Sequence, residues 1–240
     1  MQWEAEALVL TARPHGETSA IVEVFSRQHG RYGGLVRGGN RRRLRPVLQP
    51  VNMVTASWRA RLDEHLGAMT VDAGRAYAAE AMTEPVLLAG LSSLCALLQV
   101  TAERQAYPRL YDTVMVVLAE MDRADIWLPL LARFEMALLE EIGFGLDLSC
   151  CAATGAIEDL AYVSPRSGRA VSRQAAQPYL DKMFVLPEFL LNSGAHANQQ
   201  DVAHALALSG HFLERRVYLP NGLKMPAARR RLMDMIARQS

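Results

Sequence analysis

The chain has 240 residues, half of them hydrophobic, and a formal net charge of +1, so it is long enough for one large or two modest domains with real cores. No stretch approaches the ~18 consecutive apolar residues of a membrane span, and the acidic start "MQWEAEALVL" is unlike the basic start of a secretory signal. Because three cysteines also make a poor disulfide framework, we expect a cytoplasmic protein without membrane association.

The near-neutral total hides a strong segregation of charge along the chain. Residues 24–62 contain nine arginines and no acidic residue, and residues 215–240 contain seven basic residues and one acidic residue. Residues 63–214, in contrast, contain nine basic and twenty acidic residues. A surface of one sign costs stability through self-repulsion unless an anion binds to it. The pattern therefore favours binding to nucleic acid or to an anionic membrane surface.

The first 75 or so residues are predicted to be β-structure. Short runs rich in apolar and β-branched residues are separated by turn signals such as Pro14-His15-Gly16 and Gly38-Gly39-Asn40. The runs are residues 6–14, 20–26, 32–38, 51–60 and 66–74. Five short strands suit a small barrel, and we assign residues 1–78 to this domain.

The densest group of arginines lies between two of these runs, in "GGNRRRLRP". Turn residues precede the group, and Pro46 disfavours regular strand pairing after it, so we expect a mobile connection that can follow a nucleic acid backbone of any sequence. Arginine suits this role because its planar guanidinium makes bidentate phosphate bonds and stacks on bases. The predicted nucleic-acid-binding residues are Arg37, Arg41, Arg42, Arg43, Arg45, Arg59 and Arg61.

Two alternatives remain open within this hypothesis. The connection could be merely solvated while the C-terminal cluster Arg229, Arg230 and Arg231 holds the nucleic acid. Tyr32 and Trp58 could provide stacking platforms for bases, but Trp58 in "TASWRAR" could equally be half-buried on a strand.

From about Tyr77 the hydrophobic pattern has a helical period. In "WLPLLARFEMALLEEIGFG", residues 127–145, apolar side chains recur at helical spacing and a glycine follows as a C-terminal stop. Residues 79–104, 107–122 and 200–218 have similar patterns. We therefore expect a mainly helical domain over residues 79–240, so that the whole chain has an α+β architecture.

A search for catalytic motifs gives no candidate. The chain contains no GxGxxG, GxxxxGK[ST], HExxH or GxSxG motif. His204 and His211 could share a helix face, but no third ligand is near them in the sequence, and Glu140 and Glu141 are adjacent on a helix and so do not face each other. We expect no catalytic residue, no metal site and no cofactor.

Three motifs in order resemble those of the RecO family of bacterial recombination mediators. They are "TARPHGETSAIVEVFSRQHGRYGGLVRGG", "LQP" at residues 48–50, and "RFEMALLEEIGFGLDLSCCAATG". The resemblance implies an N-terminal OB-fold, a helical domain and no catalysis. It also implies binding to single- and double-stranded DNA, annealing of complementary strands and, with RecR, loading of RecA onto DNA covered by single-strand-binding protein.

The chain departs from the family pattern in the segment 148–176. Several members carry a zinc module of two CxxC pairs there, and the four matching positions in this chain are Cys151, Thr154, Ser172 and Ala175. A structural zinc site needs four strong ligands, so we expect a degenerate zinc-ribbon-like insert that packing holds together without zinc. Tyr162 and Val163 are expected in a short strand before a turn at residues 165–168.

The resemblance further implies that the helical domain binds the acidic, aromatic C-terminal tail of single-strand-binding protein. Arg133, beside Phe134, is the matching position, although it could simply solvate one edge of its helix. Two other function classes remain open for the whole chain. It could be a general RNA-annealing OB-fold protein, or an enzyme acting on nucleic acid, although the latter needs clustered carboxylates to hold metal ions.

Overall fold

The computed structural model describes residues 1–62 and 65–239. Its contacts divide these residues into two compact units. The first contains Met1–Asp112 and Pro226–Leu232, and the second contains Thr113–Met225 and residues 233–239. The first unit thus includes helices beyond the predicted barrel domain, and the division of the chain at residue 78 stays a prediction.

Five strands form a closed barrel at the start of the first unit, as predicted. Their order around the barrel is β1-β2-β3-β5-β4, in which β3 and β5 are the parallel pair and join at Leu35 and Ala68. This is the five-stranded Greek-key arrangement of an OB-fold. The strands are β1 Gln2–His15, β2 Ser19–Ser26, β3 Gly30–Val36, β4 Met53–Arg59 and β5 Ala68–Ala73.

Every second side chain along the strands points inward, and these side chains fill the barrel. Along the strands, small and β-branched residues face inward, and Tyr32, Trp58 and Met69 fill the wider part of the core. Two glycines make room for these large side chains. A Cβ on Gly34 would lie 2.6 Å from Met69, and one on Gly67 would lie 2.4 Å from the Trp58 indole.

Seven α-helices occur in the described residues: α1 Tyr77–Ala81, α2 Pro85–Leu98, α3 Pro108–Ala119, α4 Ala124–Glu141, α5 Arg173–Ala176, α6 Gln199–Phe212 and α7 Ala227–Gln239. The single helix expected over residues 79–104 is wrong, because Pro85 forces Glu84 into an extended conformation and begins a new helix. After α6, the predicted helical run continues as a π-helix at Leu213–Tyr218. The helix α7 was not predicted from the sequence.

The second unit also contains a three-stranded sheet of order β7-β6-β8, formed by β6 Leu160–Val163, β7 Ala170–Ser172 and β8 Phe184–Val185. The strand at Tyr162 and Val163 was expected. Short 3-10 helices occur at Gln177–Lys182, Glu188–Leu190 and Leu219–Asn221. No helix within the described ranges is both long and apolar enough to cross a membrane.

The packing of Gly67 against Trp58 generates a stability prediction. Gly67 has φ +71, so Gly67→Ala adds the cost of a left-handed alanine, ~1–2 kcal/mol, to the cost of overpacking beside the indole, ~1–3 kcal/mol. We expect a loss of roughly 2–5 kcal/mol in the unfolding free energy of the barrel, measured by native-state hydrogen exchange of its amides. In the control Gly16→Ala, φ is +60, but no atom lies within 4 Å of the added Cβ, so only the cost of the left-handed alanine applies. Equal losses in the two variants would contradict this packing.

Candidate nucleic-acid interface

The connection from β3 to β4 is a folded cap on one end of the barrel rather than the mobile loop expected from its sequence. Its backbone forms consecutive turns, in which Leu44 N donates to Arg41 O at 3.1 Å and Leu48 N donates to Leu44 O at 3.0 Å. Leu44, Val47 and Leu48 pack on the barrel core. The apolar side chains of the cap therefore face inward, and its arginines are left on the outside.

The side chain of Asn52 holds the cap in place. Its Nδ2 donates to Pro46 O at 2.8 Å, and its Oδ1 accepts from the backbone N–H of Ala78 at 2.9 Å, just inside α1. Val51, the preceding residue, has φ +80 and hydrogen bonds to Val9 O. A β-branched residue is rarely found in this conformation, so the surrounding structure must hold it there.

Two of the nine arginines in residues 24–62 are neutralised by carboxylates. Arg27 makes a bidentate pair with Asp112, with N···O distances of 2.8 and 3.0 Å. Arg31 lies 3.7 Å from Glu23 and 3.3 Å from Glu103. These two arginines therefore belong to the framework of the first unit.

The other seven arginines are the residues predicted from the sequence to bind nucleic acid. Their side chains are exposed, and no ion pair or hydrogen bond joins a guanidinium of this set to any residue that the structure describes. They are Arg37, Arg41, Arg42, Arg43, Arg45, Arg59 and Arg61. The first unit thus presents a set of exposed positive charges on the cap and on the strand ends next to it.

A groove of about 800 Å³ brings two of these arginines together. Arg37, at the end of β3, and Arg59, at the end of β4, both line it, and an adjoining cavity of about 460 Å³ is lined by Arg59 and Arg61. The groove walls are otherwise largely apolar and include Leu35, Leu44, Met69 and Val71. Glu4 also lines the groove, where it accepts a hydrogen bond of 2.7 Å from Ser57 Oγ. Guanidinium groups beside apolar walls suit a chain of phosphates and bases.

The aromatic stacking candidates were wrong. Trp58 is 1% exposed, and its Nε1 donates to the carbonyls of Gly33 and Leu66, while Tyr32 is 5% exposed in the same core. Neither ring can stack on a base. Trp3 instead is only partly buried and lines the groove, where it stacks on His29 at a centroid distance of 4.5 Å. Burial lowers the pKa of His29 below 6.5, so this imidazole adds little charge at pH 7.

Arg104 is a second residue that the sequence did not single out. Its Nη2 donates to the carbonyl of His65, in the β4–β5 connection, at 3.0 Å, and its guanidinium lies 5.2 Å from the centre of the Tyr32 ring. It therefore anchors the connection that follows Arg61. Sequence patterns could not predict this contact, because Arg104 is about forty residues away from this connection along the chain.

The C-terminal cluster differs from the cap. Arg229 is 5% exposed, so it is part of the core of the chain, and of this cluster Arg230 and Arg231 remain exposed to solvent on α7. The alternative that three adjacent C-terminal arginines hold the nucleic acid is thereby reduced to two exposed residues.

Arg133 lies on α4 in the second unit. Its Nη2 donates to the backbone carbonyls of Phe189 and Asn192, and its guanidinium lies 5.8 Å from the centre of the Phe189 ring. Arg133 also lines a pocket of about 460 Å³, to which the apolar side chains of Val116, Met136 and Leu190 and the carboxylate of Glu140 contribute. Its charge has no carboxylate partner among the described residues.

The degenerate zinc segment is held together by hydrogen bonds and packing. Cys151 Sγ accepts from the backbone N–H of Ser172 at 3.3 Å, and Cys151 packs in one small core with Val171 and Ala176. Burial alone would raise the pKa of the Cys151 thiol, but hydrogen bonds from Ser172, Thr154 and the Ala153 backbone lower it to about 6. No group of three or more His, Cys, Asp or Glu side chains in the described part of the chain could hold a metal ion.

Comparison with known proteins finds similar sequences over nearly the whole chain. Residues 1–73 match the family profile described as Recombination protein O N terminal, and residues 82–224 match Recombination protein O C terminal. The relative "DNA repair protein RecO" from Mesorhizobium japonicum is 51% identical over 230 residues, which cover 95% of this chain and 91% of the relative. Relatives of the same name from Cereibacter sphaeroides strain KD131 and Bartonella quintana are 49% and 46% identical over 240 residues, at 99% or more of each chain. The chain therefore belongs to the RecO family of DNA repair proteins.

Proposed function

We propose that this protein acts in DNA repair as a non-catalytic DNA-binding mediator. It binds single- and double-stranded DNA through its barrel, anneals complementary strands and, together with RecR, helps to load RecA onto DNA coated by single-strand-binding protein. The observation that carries the DNA-binding step is the set of seven exposed arginines that have no carboxylate partner within residues 1–62 and 65–239. The annealing and loading steps rest on membership of the RecO family.

The physical argument for binding begins with charge. Phosphates that contact these arginines release condensed counterions, which supplies affinity without reading sequence. Because the cap is folded on the barrel core, its arginines lose little backbone freedom when DNA binds. The groove beside Arg37 and Arg59 adds apolar walls, against which bases can pack.

Replacing three cap arginines tests this site. If Arg41, Arg42 and Arg43 each contact one phosphate, their replacement by Ala flattens the slope of log K against log salt on single strands by roughly 2 units, at ~0.7 per contact. The slope is measured by fluorescence anisotropy of a labelled oligonucleotide across a salt series. Melting stays nearly unchanged, because exposed substitutions of this kind alter stability by within ~0.5 kcal/mol.

The matched control removes three exposed arginines from α7 by Arg230→Ala, Arg231→Ala and Arg238→Ala. We expect it to keep the wild-type slope. An unchanged slope for the cap variant together with a flattened slope for the α7 variant would show that the DNA binds at the C-terminal helix instead. Tighter binding to RNA than to DNA of the same sequence would instead favour a general RNA-annealing protein.

We also propose that the pocket beside Arg133 holds the acidic, aromatic C-terminal tail of single-strand-binding protein. A pocket that combines apolar side chains with a guanidinium suits a peptide that ends in an aromatic side chain and a carboxylate, provided that the carboxylate binds on the Arg133 side, away from Glu140. The two carbonyl contacts of Arg133 do not neutralise its charge, so the guanidinium remains attractive to an anion.

Because Arg133→Ala also removes those structural contacts, an independent variant is needed to test the pocket. Val116 lines the pocket and is 49% exposed, so Val116→Asp places a negative charge there without touching Arg133. We expect binding of a labelled tail peptide to weaken by more than ~1 kcal/mol, by anisotropy. Val185→Asp, at an exposed valine of the same unit outside this pocket, serves as the control. Wild-type affinity in Val116→Asp would place the tail elsewhere.

A further inference from the structure

A second cluster of arginines lies in the second unit, far in sequence from the barrel. We call it the hairpin-tip patch. It is formed by the β6–β7 hairpin tip, residues 164–169, together with the π-helix Leu213–Tyr218. Its basic residues are Arg166, Arg169, Arg215 and Arg216.

Specific contacts hold the hairpin tip against the helix. Arg216 donates from Nη2 to Ser167 O at 2.8 Å and from Nη1 to Phe144 O at 3.2 Å, and its guanidinium lies 4.5 Å from the centre of the Phe212 ring. Gly168, with φ +74, allows the close approach, because a Cβ there would lie 2.8 Å from Arg216 Nη2. The two segments therefore form one surface.

The charge of this surface is poorly compensated. Arg169 pairs with Asp147 at 3.0 Å. Arg216 donates hydrogen bonds to two carbonyls and lies over the Phe212 ring, and neither contact neutralises its charge. Arg166 and Arg215 are exposed and make no ion pair with any residue that the structure describes. The second unit as a whole is acidic, with ten basic and fourteen acidic side chains among its described residues. Four of those ten cations are gathered here, against Asp147 on Arg169 and the exposed Glu214 of the π-helix, so an excess of positive charge remains that costs self-repulsion unless an anion binds.

The π-helix is a second and independent observation. Its wider turn interrupts the end of α6 at the residues that carry Arg215 and Arg216. Such turns are uncommon and occur frequently at functional sites. Here the π-helix contains Arg216, which contacts the hairpin tip, and next to it the exposed Arg215.

We propose that the hairpin-tip patch binds the phosphates of a second nucleic acid strand while the barrel holds the first. The inference rests on the proposed function, since it requires a first strand on the barrel. Two phosphate-binding surfaces on one chain reduce the charge repulsion between two single strands and raise their effective concentration, which pairing of complementary strands requires.

Two non-complementary probes test this directly, because they can meet only on the protein. Oligo(dT) labelled with a donor dye and oligo(dT) labelled with an acceptor dye are mixed with the full chain at a strand excess. We expect energy transfer in complexes that contain one protein chain, as counted by sedimentation velocity. Arg166→Ala with Arg215→Ala should abolish most of that transfer and flatten the salt slope for the second strand by roughly 1.4 units, at ~0.7 per contact.

Controls separate this idea from the barrel site. The double variant keeps wild-type affinity for the first strand, whereas Arg173→Ala with Lys182→Ala, which removes the same charge from exposed positions of the same unit, keeps the energy transfer. Energy transfer that survives in Arg166→Ala with Arg215→Ala, or that occurs only in complexes with two protein chains, would overturn the proposal, as would a wild-type chain that binds one strand only. Binding of neither strand would instead contradict the proposed function itself.

Discussion

Seven arginines that have no carboxylate partner among the described residues set the electrostatic problem that the first unit has to solve. Like charges on one end of a small barrel repel each other, and the chain places no acidic residue in the 39 positions that contain them. Where the framework needs an arginine, it supplies a partner from a distant segment, as Asp112 does for Arg27 and Glu103 does for Arg31. The remaining charges are available to an external anion, and this division separates the paired arginines from those that we propose bind DNA.

The fold gives these charges a firm support. Leu44, Val47 and Leu48 anchor the cap in the barrel core, and Asn52 ties it to the first turn of α1. Because the backbone of the cap is already ordered, binding costs less conformational entropy than it would for a mobile loop. The sequence could not predict this order, since turn residues and a proline are common to folded caps and to mobile connections.

Local patterns predicted the barrel, because strand alternation is a property of neighbouring residues, and an acid-free window located the arginine set, whose binding role stays a prediction. Local patterns cannot predict contacts between residues that are distant in the sequence. Trp58 and Tyr32 carry no local sign that they face the barrel core, so their burial and the role of Trp3 in the groove followed only from strand register. The same limit applies to Arg104, to the burial of Arg229 and to the hairpin-tip patch, whose two segments are about fifty residues apart.

Residue-level chemical footprinting of arginines tests the central claim most directly. The chain is treated with a phenylglyoxal reagent, with and without one oligo(dT) strand per protein chain, and each arginine is quantified by mass spectrometry. The account predicts that the strand protects Arg37, Arg41, Arg42, Arg43, Arg45, Arg59 and Arg61, while Arg27, whose guanidinium is paired with Asp112, changes little. Protection confined to Arg230, Arg231 and Arg238, with full reactivity retained on the cap, would contradict it.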